Sequence, residues 1–279
     1  MIRLLQIEFQ KIWKNRSSKI LSIAYFVILS FIALIASIKF NIGTFELHIA
    51  DQGIFNFPYI WHFNTYIAAI LKFFLAIVIV SMMANEYSYG TLKQNLIDGL
   101  SKKEFIQSKF LTVVVFAFAS TLFVFIMSLI LGLSFSSYNE IDIIFSDLEY
   151  IVAYFIKLVA FFSFCLFLGI LVKRSAFAIG FLFIWNIIEG IIIGVLKWKI
   201  FPNSNTSQSI TQFLPLEAMA NLIKEPFTRL SVIKNIETTI GGEVAAKDYG
   251  VHWFSLIIVI CWIVIFMLMS YKIIQKRDL

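Results

Sequence analysis

Charge is scarce in this sequence. Only 14% of its 279 residues are Asp, Glu, Lys or Arg and 60% are hydrophobic, whereas a soluble domain is about a quarter charged and about half apolar. Cysteine is nearly absent: Cys165 and Cys261 both lie inside apolar blocks. They read as small buried hydrophobes, which argues against a disulfide framework or a cysteine metal site. No Gly-x-x-x-x-Gly-Lys-Ser/Thr phosphate loop occurs, and neither does His-Glu-x-x-His or Gly-x-Ser-x-Gly. Nucleotide hydrolysis within this chain and membrane hydrolase chemistry are therefore not expected, and no catalytic residue is assigned. The N-terminus has no short apolar region followed by a small-residue cleavage site, so no cleaved signal peptide is predicted.

What is present is a set of long apolar blocks. Six reach or approach the ~20 residues that a helix needs to cross about 30 Å of hydrocarbon: 20–38, 66–84, 110–133, 151–172, 177–196 and 253–271. The expected fold is an all-α integral membrane domain occupying the whole of 1–279. It comprises an N-terminal helix over 1–19, crossings one to five over 20–196 with an inner loop at 85–109, an outer segment at 197–252, and the last crossing with its tail at 253–279.

Basic residues set the orientation. With both termini inside, the inner segments hold 14 Lys and Arg within 56 residues, against seven in the longer outer segments, where 11 of the 17 acids also fall. The net charge of +6 is thus spent on topology, and nucleic acid is not an expected partner. The expected location is the cytoplasmic membrane, with both termini in the cytoplasm.

Residues 1–16 form an amphipathic pattern, with Ile2, Leu5, Phe9, Ile12 and Trp13 on one face and Arg3, Gln6, Gln10 and Lys14 on the other. This suits a helix lying in the inner headgroup layer. The first outer loop, 39–65, carries Phe55, Phe57, Tyr59, Trp61 and Phe63 and is expected along the interface. The last outer segment holds three of the four prolines and a helical piece at 215–224 with Leu216, Met219, Leu222 and Ile223 on one face. Short helices against the outer membrane face are expected there.

Three ionisable residues sit well inside crossings: Lys72, Lys157 and Glu189. Counted from the outer ends of their apolar blocks they lie at similar depth, roughly 9–12 Å at 1.5 Å per residue. Such residues face a bundle interior or a water path. Two readings stand side by side. Glu189, with Lys72 or Lys157, lines or latches a translocation route, or the charges form an ion pair that holds helices together. Asn186, three residues before Glu189, extends the polar patch or bonds a neighbouring helix. His48, His62 and His252 fall near the outer surface, but their spacing suggests no metal site.

The most informative stretch is the inner loop, 85–109. Glu86 follows the second crossing, Gly90 allows a sharp turn, and Thr91 is placed to cap a short helix at 92–97. Ser101 is placed to cap the helix that enters the third crossing. The run Glu86-x-x-x-Gly90-Thr91-Leu92, then Leu96, Leu100-Ser101-Lys102-Lys103-Glu104-Phe105 and Lys109, resembles the first inner loop of ABC-2 type permeases. These are the membrane subunits of one class of ATP-binding-cassette exporters. The amphipathic N-terminal helix, the six crossings with a long outer segment before the last, and the basic tail agree with that layout.

The resemblance implies that the loop holds a coupling helix seated on an ATPase, with Glu86, Gly90, Thr91, Leu92 and Leu96 at or near the contact. It implies two copies of a separate ATPase subunit carrying ATP and magnesium, and a second copy of this chain or a sister permease. It also implies a pathway lined mainly by crossings one, two and five, with 197–252 as lid or exit gate. A hydrophobic or amphipathic cargo is the expected default. An ion-coupled transporter or channel, and a membrane anchor that transports nothing, are the alternatives. The first lacks an evident internal repeat with matching broken helices.

Overall fold

The computed structural model describes residues 2–42, 45–48, 53–138, 140–202, 205–229 and 248–277. Their long elements are all helical. α1 (Ile2–Lys14) and α2 (Arg16–Ser37) lead to a short antiparallel hairpin of β1 (Lys39–Ile42) and β2 (Phe45–His48), which hydrophobic patterning did not anticipate. There follow α3 (Tyr59–Ser88), α4 (Thr91–Ile97), α5 (Lys102–Phe135), α6 (Ile141–Ile144), α7 (Glu149–Val172) and α8 (Ser175–Val195), which runs on into a π-turn at Leu196–Ile200. α9 (Asn205–Thr211), α10 (Pro215–Asn221) and α11 (Trp253–Lys276) complete the fold. Six of these helices (α2, α3, α5, α7, α8 and α11) are long and apolar enough to cross a membrane.

Local chemistry explains the boundaries. Asn15 caps α2 by accepting from the Ser18 amide at 3.1 Å. Ser101 and Glu104 form a complete capping box at the start of α5, so that junction is set by two reciprocal bonds to otherwise orphaned amides. Gly90, at φ +67°, precedes α4 directly. Thr91 is therefore the first residue of α4 and not its cap, because its hydroxyl is committed to Glu86. The crossings extend beyond the apolar blocks, most clearly α3, which begins at Tyr59 and continues to Ser88. Backbone pairing does not stop where hydrophobicity stops, provided the polar side chains at the ends find partners.

α7 is the centre of the bundle. It packs against α3, α5, α8, α10 and α11, and its residues from Lys157 to Ile170 are all buried. α2 and α8 lie outside it with broad apolar faces exposed, Ile20, Phe31, Phe183 and Ile187 among them, as suits lipid contact. Cys165 is buried on α7, but Cys261 is exposed on α11, and both are free thiols.

The aromatic stretch after the hairpin packs into the bundle. Phe55, Phe57, Trp61 and Phe63 are buried and only Tyr59 is exposed. Trp61 Nε1 donates to the Ile144 carbonyl at 2.8 Å. The Phe57 ring fills the space above Gly132, where an added Cβ would meet it at 2.2 Å. The outer segment is also drawn inward. α10 packs on α7, α8 and α11, burying Ala218, Met219, Leu222 and Ile223. The polar stretch at 205–211 is helical, while 203–204 and 230–247 lie outside the described residues.

Candidate functional site

At the α4 end of the bundle four charged side chains meet, three of them (Glu8, Glu86 and Lys109) buried and the fourth, Lys11, partly exposed. Lys109 is fully buried, in the second turn of α5, and its Nζ lies 2.5 Å from Glu8 Oε2 and 2.6 Å from Glu86 Oε1. Lys11 Nζ reaches the same Glu86 oxygen at 2.8 Å and stands 3.6 Å from Glu8. Thr91 Oγ1 donates to the other Glu86 oxygen at 2.5 Å. Two acids and two bases balance, and each carboxylate is bonded, which is what a buried charge requires. Glu86 is the hub, joining α1, α3, α4 and α5. Burial disfavours the Lys11 charge, but hydrogen bonding to Glu86 and the charges of Glu8 and Glu86 outweigh it. Its pKa stands above the ordinary lysine value. A cavity of about 340 Å³ opens beside the cluster, lined among others by Lys14, Asn15, Ser18, Asn85 and Tyr89.

Sequence pattern singled out Glu86 but missed Glu8. The inward face of α1 is Glu8 and Ile12, with Phe9 stacked on Phe116 at 5.6 Å. Ile2 and Trp13, expected on the apolar face, are 76% and 58% exposed. The deciding signal was unreadable in α1 alone, since Glu8 turns inward only because Lys109 is there.

The residues assigned to the partner contact divide. Glu86 and Leu92 are buried and Leu96 is half-buried against the core, so these hold α4 in place. The surface that α4 presents is Tyr89, Lys93, Gln94 and Ile97, with Tyr89 74% and Ile97 75% exposed. The tail clamps the same end. Arg277 donates to Tyr87 Oη at 2.8 Å and to the Ile170 and Leu171 carbonyls at 2.6 and 3.1 Å. A cation thereby satisfies the final carbonyls of α7.

Halfway along the bundle, Tyr25, Ser120 and Tyr154 close a hydrogen-bonded triangle with sides of 2.5, 2.7 and 3.0 Å. It ties α2, α5 and α7 together in an otherwise apolar layer, and no spacing in the chain announced it.

The intramembrane charges find partners other than the ion pair that one sequence reading expected. Glu189 is buried, and its carboxylate accepts from the amides of Leu216 at 3.0 Å and Glu217 at 3.1 Å, and from Trp185 Nε1 at 2.6 Å. Lys157 Nζ lies 3.4 Å from the Ala220 carbonyl. Lys72, nearly halfway along α3 because that helix begins seven residues earlier than its apolar block, sits over the Phe161 ring at 4.3 Å. Among the described residues no ion pair joins either lysine to Glu189. Asn186 is exposed, and the position expected for it beside Glu189 is taken by Trp185.

The histidines do not converge. His62 is buried, stacked on Tyr150 at 4.3 Å, with Nε2 2.8 Å from the Lys224 carbonyl and Nδ1 3.0 Å from the Arg229 guanidinium. A guanidinium only donates, so Nδ1 accepts and Nε2 carries the proton. His252 pairs with Asp248 at 2.8 Å, and the His48 side chain lies outside the described residues. Arg229 also stacks on Tyr59 at 4.2 Å, so His62 and Arg229 pin the outer segment to α3.

These features define a multi-pass membrane protein with an organised buried charge cluster at one end and a short helix gripped by intramembrane charges at the other. The chain belongs to the DUF2705 family, described as a protein of unknown function, whose model matches residues 25–279. It is similar to the uncharacterized protein YhcI of Bacillus subtilis (strain 168), at 23% identity over 221 residues. That alignment covers 74% of this chain and 64% of the relative.

Proposed function

We propose that this chain is the permease subunit of an ATP-driven exporter of the ABC-2 type, seated in the cytoplasmic membrane with its α4 end in the cytoplasm. A separate ATPase, in two copies, supplies the energy, and a second copy or sister permease completes the pathway for a hydrophobic or amphipathic cargo. One observation carries the reading: the Glu86 hub, bonded at once to α4 through Thr91, to α1 through Lys11, and to α5 through Lys109. A displacement of α4 is therefore passed to the amphipathic helix and to two crossings through short bonds, with no loop to absorb it. The ATPase would meet the exposed Tyr89, Lys93 and Ile97 surface, with Glu86, Thr91 and Leu92 as the rigid backing.

The test is co-purification in detergent. The native chain should bring down an ATPase subunit. Ile97→Asp, or Gly90→Pro at a backbone position proline cannot adopt, should lose it while membrane insertion persists. Retention of the ATPase by both variants, or its absence from the native complex, would defeat the reading.

A further inference from the structure

We infer that the cleft between α2 and α5 is a binding site for one aliphatic chain of an amphiphile drawn from the surrounding membrane, read at its polar end by Asn64. The two helices are tied together at Tyr25–Ser120 and by the edge-to-face contact of Phe26 with Phe123, ring centroids 4.9 Å apart. Beyond that level, toward the α10 end, a cavity of about 340 Å³ opens between them and adjoins one of about 190 Å³ between α2 and the start of α3, the two sharing Ala33 and Met127 in their walls.

The floor is buried, with Leu29 at 1% and Ala33 at 8% exposure. The rim is not: Leu34 is 55% and Ile130 60% exposed. The cleft thus opens sideways into the layer where lipid chains lie, and an occupant enters from the bilayer. Ala33 leaves room, and Met127 is a thioether that adapts to irregular shapes.

The wall carries one polar group. Asn64, 8% exposed, lines the smaller cavity. Its Nδ2 donates to Ser128 Oγ at 2.9 Å, and among the described residues its Oδ1 has no protein partner. A carboxamide oxygen in an apolar cleft favours an occupant that brings a donor, because an unmatched acceptor there is costly. That selects an amphiphile whose polar end carries a hydroxyl or amide N–H. The site lies within about 12 Å of the ends of α2 and α5 at 1.5 Å per residue, so the polar end points to the leaflet on the α10 side. The inference concerns binding by the isolated chain and does not rest on an ATPase partner.

The test uses the full chain in phosphatidylcholine nanodiscs, photolabelled with a hexadecanol carrying a mid-chain diazirine and, separately, with its methyl ether. The alcohol should label peptides containing Ala33 and Met127, and excess plain hexadecanol should compete. It should exceed the ether by roughly fivefold, the worth of one hydrogen bond. Ala33→Phe, which fills the cleft, should remove labelling by both probes. Asn64→Leu, or Ser128→Ala if the former does not fold, should reduce the alcohol toward the ether. Labelling spread over all lipid-facing helices and unchanged by Ala33→Phe would overturn the site. Equal labelling of the native chain by alcohol and ether would overturn the role of Asn64.

Discussion

Glu189 and Lys157 grip opposite ends of one short helix. The carboxylate takes the first amides of α10 and the ammonium faces a carbonyl of its last turn, so each charge meets the helix end of opposite partial charge. Glu189→Gln keeps the shape but replaces charge-assisted acceptance from two backbone amides with a weaker one, at a cost of ~1–3 kcal/mol. The expected outcome is faster proteolysis within 215–229 in an assembled complex. Lys157→Met should have the smaller effect, because its bond is long. An unchanged proteolytic rate in Glu189→Gln would show that packing alone holds α10.

Lys109→Met removes the shared cation between Glu8 and Glu86, leaving Lys11 as the one remaining cation for two buried carboxylates and Glu8 with only its 3.6 Å contact. Breaking a buried charged cluster on one side costs ~3–5 kcal/mol. The apparent Tm in detergent should fall steeply. Combining Lys109→Met with Glu8→Gln and Glu86→Gln should restore most of it, since no uncompensated acid then remains. Were the triple variant as unstable as the single one, the loss would reflect packing and not charge.

Gly132→Ala places a methyl 2.2 Å from the Phe57 ring. Overpacking of this kind costs ~1–3 kcal/mol. Phe57→Leu in the same background should recover part of the loss, so the double variant should melt above Gly132→Ala alone. A simple sum of the two single effects would contradict the contact.

Tyr25→Phe should be mild, about 0.6 kcal/mol, in keeping with hydrogen bonds between membrane helices. Ser120 and Tyr154 retain their own bond when Tyr25 loses its hydroxyl. A larger drop in the apparent Tm would give the triangle a role beyond its pairwise bonds.

Burial, reinforced by the nearby Glu189 charge, holds the Glu217 carboxyl above its ordinary pKa. A raised carboxylate pKa means that the folded state binds the proton more tightly, so its contribution becomes less favourable as pH rises through and above the normal carboxylate range. Glu217→Gln should raise the apparent Tm at neutral pH and flatten its slope on the acid side. A variant that melts lower at neutral pH would reverse that sign.

The six crossings were legible because length and apolarity are properties of one segment at a time. The cap at Ser101 and the proline start of α10 were legible for the same reason, each being contained within a few residues. The partners of Glu8, Lys157 and Glu189 were not. Depth counted from apolar ends put Lys72, Lys157 and Glu189 on one level and suggested an ion pair. That counting missed the extra turns at the start of α3 and the fact that α10 folds back into the bundle to receive both Glu189 and Lys157. Tyr25, Ser120 and Tyr154 are 95 and 34 residues apart along the chain, so only the packed helices bring them together.

The central position of α7 bears on how the chain is made. It follows α2, α3 and α5 along the chain, yet α3, α5, α8 and α11 all rest on it. The three preceding helices are therefore synthesised before the helix they will surround. Until residue 172 has emerged, Tyr25, Ser120 and the inward faces of α3 and α5 await a common neighbour. Maturation of the early segments is thus tied to the synthesis of a later one.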